Sequence, residues 1–358
     1  MPRELLLLDN DDVAGVLDVG DCMAALERAY RALASGQSVE RARTQMRVPL
    51  SEPDVTYCFK SMEGALVGDG YTTLRITSDA VFEGRVDGRT RRDKLPRGEG
   101  NTYCGLIFVF STRDLAPVAI IHDGLIQLVR VACTSALSVR LLAREDAADV
   151  GLIGAGQQAW WHLQAVNAVR KLRRIRVYSP HAGRRAAFAA RVSAELGIPV
   201  DAVATARDAV SDADIVIAAT NASEPLLDGR WIASGAHVVS IVSGDKGSIR
   251  RELDNETMRR AALVVAHSKA SAMEHRNGDL AGPVDAGMLS WETVIDLPDL
   301  VAGTSPRRGS RDDITVFKNN GGTGLQFAAV APTIYERARD RGIGRKLPAA
   351  WFLESMPS

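Results

Sequence analysis

Residues 150–166, VGLIGAGQQAWWHLQAV, constrain the fold more than any other stretch of the chain. An apolar run leads into Gly154-Ala155-Gly156-Gln157-Gln158-Ala159 and then into a helical segment, which fits G-x-G-x-x-G/A in its required strand-turn-helix setting. There Gly154 allows the tight turn and Gly156 lets a pyrophosphate approach the backbone at the helix N-terminus, which Gln157 opens. Ala159 lets helix and strand pack closely. Strand-like runs at 149–153, 174–179, 214–220, 236–242 and 262–266 alternate with helical or polar segments, the βαβ rhythm of a parallel sheet. This part of the chain reads as α/β, a Rossmann-type doubly wound sheet with a dinucleotide site, and Thr220 at the end of the third run is counted among the cofactor-binding residues.

The end of the second strand, VYSPHAGRR, is where an Asp or Glu would grip the ribose 2′-hydroxyl of NAD. Ser179 stands there instead, with Arg184 and Arg185 just beyond. Loss of the carboxylate removes repulsion towards a 2′-phosphate that an arginine could pair with, so the sequence favours NADP(H) and leaves NAD(H) open. The alternative for Arg184 and Arg185 is solvation of the next helix.

Outside this region the pattern differs. In residues 21–35, Met23, Leu26, Tyr30 and Leu33 fall on one helical face, and Gly36 sits at the expected C-terminal cap. Between 55 and 125 short β-rich runs bounded by Gly, Pro and Asp predict a mixed or antiparallel sheet. The charged stretch 83–100 interrupts them and reads as a surface loop or the end of a long hairpin. Residues 126–143 form a helical run, and the chain returns to helix after about 317, where Pro332 is expected to kink or split it.

Lys plus Arg number 44 and Asp plus Glu 44, so the formal net charge is zero and the overall basic field of a nucleic-acid binder is lacking. No run of 18 or more apolar residues suggests a membrane span, and the four apolar residues near the N-terminus are too few for a signal peptide, so a cytoplasmic location is expected. Cys22, Cys58, Cys104 and Cys133 stand far apart with no zinc spacing, which predicts reduced, mostly buried thiols and no metal site.

The order and spacing of LVRVACTSALSVRLLAR, VGLIGAGQQA, ADIVIAATNASEPLL, GAHVVSIVSGDKGSIRRELD, NGDL and ITVFKNNGGTG resemble the ornithine cyclodeaminase/μ-crystallin family over nearly the whole chain. The resemblance implies an α+β substrate-binding and dimerisation domain from residues 1–128 and 318–358, around a Rossmann domain at 129–317. It also implies a homodimer. The family's first carboxylate-binding arginine corresponds to Arg43 in RARTQMRVP, and another to Arg130 in LVRVACTSAL. Arg130 stands alone among apolar and small residues, so an anionic partner or a structural ion pair is expected there. The family's lysine is missing; Arg75 in YTTLRITSD lies one position away, and Lys60 in CFKSMEG is another cation that could fill the gap. Which face Arg75 takes is undecided, because a slip of one residue reverses side-chain direction. Asp245 in VSGDKGS stands for the family's acidic residue, in a stretch two residues longer than usual, and the acidic pair often present in the last helix is absent. These departures point to a divergent branch.

What the resemblance implies is an NAD(P)-dependent oxidoreductase acting at the α-carbon of an amino or imino acid, with reduction of a ketimine or cyclic imine leading. Arg43, Lys60, Arg75 and Arg130 would hold the substrate, and Asp245 would manage a proton. An ornithine-type cyclodeaminase with no net redox change, and a non-catalytic nucleotide-binding subunit, are the alternatives.

Overall fold

The computed structural model describes residues 4–41, 43–86, 89–244, 249–319 and 322–354. In chain order the elements are β1 (Glu4–Leu8), α1 (Asn10–Val16), α2 (Val19–Ala34), β2 (Ser38–Glu40), β3 (Thr44–Pro49), β4 (Val55–Leu66), β5 (Tyr71–Val86), β6 (Arg89–Leu95), β7 (Cys104–Ser111), β8 (Pro117–His122) and α3 (Gly124–Leu142). Then come β9 (Asp149–Ile153), α4 (Gln157–Asn167), β10 (Arg174–Tyr178), α5 (Ala182–Leu196), β11 (Val200–Ala202), α6 (Ala206–Val210), β12 (Ile215–Ala218), β13 (His237–Ser240), α7 (Asn255–Arg260), β14 (Ala261–Ala266), α8 (Lys269–Glu274), α9 (Gly278–Asp285), β15 (Ile295–Asp296), α10 (Leu297–Ala302), β16 (Ile314–Lys318), α11 (Gly324–Arg341) and β17 (Arg345–Pro348).

Two compact units result, Met1–Arg130 with Gly322–Ser358, and Val131–Gly321. In the first, a nine-stranded sheet among the described residues runs β17-β1-β8-β7-β5-β4-β2, with β3 added to β4 and β6 to β5. It is mixed, because β1 lies parallel to β8 while the other pairings are antiparallel. The charged stretch after Glu83 turns out to supply the end of β5 and the whole of β6. One face of the sheet is covered by α11, whose approach to β4 leaves no room for a side chain: a Cβ on Gly324 would stand 1.7 Å from the Glu63 carbonyl oxygen. Pro332 does not split α11, which continues from Gly324 to Arg341 with Ala331, Pro332 and Ile334 buried; burial on the sheet outweighs the backbone bond that proline removes.

In the second unit eight parallel strands run β11-β10-β9-β12-β13-β16-β14-β15. The strands β9, β12, β13 and β16 are buried along their whole length, as expected for a sheet covered on both faces. Val216, Val238, Leu253, Val264 and Val316 form the centre of a core on this sheet. The helix α3 is apolar enough to cross a membrane by length and composition, yet two-thirds of its apolar window is buried, so core packing accounts for its hydropathy. Cys22, Cys58 and Cys133 are buried free thiols, and Cys104 is an exposed one.

Candidate active site

In the first unit, strand register brings a charged cluster onto a buried face. Lys60 pairs with Thr77 and Met62 with Arg75 across β4 and β5, so Lys60, Arg75, Thr77 and Asp79 all point to one side. Arg75 donates from Nε and Nη2 to Oδ2 of Asp123, at 2.9 and 2.5 Å. Arg130, on α3, donates to Oε1 of Gln326, whose amide donates in turn to the Tyr30 hydroxyl at 3.1 Å. The two guanidiniums share the ring of Phe327, at 5.2 Å for Arg75 and 5.0 Å for Arg130. Gly322 is required beside them, since a Cβ there would lie 2.3 Å from Nη1 of Arg130.

Further along β4, Lys60 donates to Asp79 at 3.3 Å, and Lys94 of β6 donates to the other oxygen of Asp79 at 2.9 Å. Burial lowers the Lys60 pKa, with Asp79 opposing. Burial raises that of Asp79, but the two lysines outweigh it and hold the carboxyl below its ordinary range. Burial, followed by the nearby Arg75 charge, pushes Arg130 down to about 10. Four cations therefore face two carboxylates in these clusters, an arrangement suited to an anionic ligand that fits between guanidiniums.

In the second unit Gly154 has a φ of +117°, and a Cβ there would stand 2.2 Å from the Ala219 carbonyl oxygen, so the turn requires glycine. Gly156 caps α4 with no side-chain hydrogen bond, and a Cβ on it would meet nothing within 4 Å. Open space beside an uncapped helix start fits a pyrophosphate. Ala159 is fully buried under the sheet, while Gln157 is exposed at the helix start. At the end of β10, Ser179 is buried and its carbonyl accepts from Arg185, which also stacks 5.6 Å from the Tyr178 ring; Arg184 is exposed on α5. Thr220 is held through its backbone N–H and hydroxyl by Oε1 of Glu252, at 2.6 and 2.8 Å.

A model of the ornithine cyclodeaminase/mu-crystallin family matches residues 3–342. The chain belongs to this family. Among its relatives, a Delta(1)-pyrroline-2-carboxylate reductase of Paracoccus denitrificans is 35% identical over 318 residues, 87% of this chain and 93% of that protein. An iminosuccinate reductase of the same organism is 29% identical over 343 residues, 96% of this chain and 99% of that protein. The structure of Thermococcus litoralis Delta(1)-pyrroline-2-carboxylate reductase in complex with NADH and L-proline superposes with a TM-score of 0.83 at 27% identity, covering 96% of this chain and all of that one.

For this family member the structure brings Lys60 and Arg75 to one sheet face and joins Arg130 to Arg75 through Phe327. Arg43 is half-buried just ahead of β3. Asp245 lies outside the described residues. Sequence reasoning passed over Asp79 and Asp123, the carboxylates that hold these cations, and the buried Glu252, Asp279 and Lys318 of the Rossmann unit. The only trace of the last group was RRELD, NGDL and ITVFK as family landmarks. Among the described residues no cluster of His, Cys, Asp and Glu could hold a metal ion.

Proposed function

We propose that this protein is an NAD(P)H-dependent oxidoreductase that reduces the C=N bond of an α-imino acid, giving the α-amino acid. The observation that carries the reading is the pair of buried guanidiniums on Phe327, Arg75 and Arg130, with Asp123 as the carboxylate bonded to Arg75. The names of the relatives, reductases of pyrroline-2-carboxylate and of iminosuccinate, support imine reduction.

When bound, the reduced nicotinamide supplies the hydride that the imine carbon accepts. The chain's own residues do the rest. Arg75 and Arg130 bind the substrate carboxylate, which fixes the adjacent α-carbon and its C=N bond in one orientation; Phe327 keeps both guanidiniums in place and water off their faces. Lys60, held by Asp79, adds a third positive charge on the same sheet face. Asp245 is assigned the proton that the imine nitrogen needs. The turn at Gly154 and Gly156 and the start of α4 bind the pyrophosphate, and Thr220 lines the same nucleotide site.

NADP(H) is the preferred cofactor. Ser179 presents no carboxylate to a 2′-phosphate, and Arg184 on α5 or Arg185, bound to the Ser179 carbonyl, would pair with it. The protein acts as a homodimer: Val39, Met46, Val48 and Leu50, on or beside the edge strands β2 and β3, are exposed apolar side chains that a second copy would cover.

The test is a panel of cyclic and acyclic imino acids with the reduced cofactor, followed by its absorbance, with ammonia measured in parallel. Net cofactor consumption matched by amino-acid product is expected. Ammonia release from a diamino acid without net cofactor change would overturn the reductase reading in favour of a cyclodeaminase.

A further inference from the structure

Three charged side chains with no exposed surface, Glu252, Asp279 and Lys318, lie at the carboxyl edge of the Rossmann sheet. Lys318 and Ser240 are paired residues at the ends of β16 and β13, and Ser240 in turn pairs with Ala218 at the end of β12. Burying three charges is costly unless each is hydrogen-bonded, so their partners show what the arrangement holds. Lys318 donates to Asp279 and to the Ser240 hydroxyl, both at 2.7 Å. Asp279 accepts from the backbone N–H groups of Glu252 and Leu253 at 2.9 and 3.0 Å. Glu252 then divides its oxygens between two strand ends. Oε1 takes the N–H and hydroxyl of Thr220 beyond β12, and Oε2 takes the N–H groups of Ile241 and Val242 beyond β13, both at 2.9 Å, and the Ser240 hydroxyl at 2.8 Å.

One carboxylate thus ties together the chain segments that leave two adjacent strands on the side where Rossmann sheets bind their ligands. These strands follow the topological switch between β9 and β12, which gives them to the second half of the dinucleotide, while the Gly154 turn serves the first. We infer that Glu252, braced by the Asp279–Lys318 pair, is a positioning residue for the nicotinamide half of the cofactor. The inference rests on the dinucleotide reading given above.

Glu252→Gln tests it, because an amide must turn its NH2 towards one set of backbone donors. The readout is the affinity for NADPH set against that for 2′-phospho-ADP-ribose, which lacks the nicotinamide. Expected is a loss of about tenfold or more for NADPH, with a fall in kcat, and a change within about twofold for the truncated ligand. Equal losses for both ligands, or none, would overturn the inference. Should Glu252→Gln fail to fold, Ser240→Ala removes only the hydroxyl bridge, and the same unequal loss, smaller in size, is required of it. Failure of the unaltered protein to bind NADPH, NADH, 2′-phospho-ADP-ribose and ADP-ribose alike would refute the dinucleotide reading itself, an outcome separate from an unchanged ratio in the variants; binding of NADH and ADP-ribose alone would move the same comparison to that pair.

Discussion

Arg130→Met should damage activity while leaving the free protein as stable as before, or more stable. The Arg130 guanidinium is buried, and burial together with Arg75 brings its pKa from the ordinary arginine range down to about 10. A displacement of that size corresponds to roughly 3 kcal/mol against the charged form, an upper bound on what removing the charge could return. Arginine is charged throughout the working pH range, so the penalty is present at any pH of assay. Methionine keeps the apolar stem against Phe327, Asp123 retains Arg75, and Gln326 retains its hydrogen bond to Tyr30. Loss of the Gln326 contact and imperfect packing offset part of the gain, so the expected change is between zero and about 3 kcal/mol of added stability. On the substrate side, loss of a charge-assisted hydrogen bond to a carboxylate costs about 1.5 to 3 kcal/mol, or about 10- to 100-fold in kcat/KM. Urea unfolding and steady-state kinetics on the same preparation check both signs. A variant that loses stability and activity together, or that turns over normally, would refute the reasoning and make Arg130 a structural residue.

Three further outcomes are expected. His162 and His237 are fully buried, and burial lowers their pKa values to about 4 and about 3, so the unfolded chain gains protons first as pH falls below about 6.5. The folded state should lose about 2 kcal/mol per histidine between pH 7 and 5, nearly independent of how far below 5 each folded value lies, and His237→Gln should flatten the urea-midpoint profile by one such share; a profile flat from pH 7 to 5 in the unaltered protein would count against it. Ser179→Asp should reverse a preference for NADPH over NADH by setting a carboxylate against the 2′-phosphate, and fluorescence titration showing tighter NADH binding in the unaltered protein would sink the NADP(H) assignment. Asp245→Asn should lower kcat by about 100-fold with NADPH affinity unchanged, and a normal kcat would remove Asp245 from the proton step.

The legible parts of this chain were those whose signal is local. The Gly154 turn could be read because strand, turn and helix follow one another within a dozen residues, and its positive φ and close approach to Ala219 are properties of that short segment. The parallel sheet was legible from buried apolar runs, with three omissions: β11, β15 and β16 are only three, two and five residues long, and so short a run does not distinguish a strand from a loop or a buried helix segment. At Pro332 the expected split did not occur, since a local rule about proline carried less weight than the burial of the helix around it.

The charged residues of the site were legible one at a time but not as pairs. Arg75 was undecided between two faces because register, which the sequence does not state, sets its direction; once Met62 is its cross-strand neighbour, it must share a face with Lys60. Its carboxylate, Asp123, is 48 residues away, Gln326 lies 196 residues from Arg130, and Asp279 lies 39 residues from Lys318. None of these partners is marked by spacing, yet each decides what its cation can do. A lysine bonded to Asp279 and Ser240 inside the Rossmann unit braces the backbone, whereas the Arg130 guanidinium is bonded to Gln326 and rests on Phe327 beside Arg75. The two kinds of buried cation have the same appearance in the sequence, and only their partners tell them apart: Lys318 is bonded to Asp279 and Ser240, and Arg130 to Gln326.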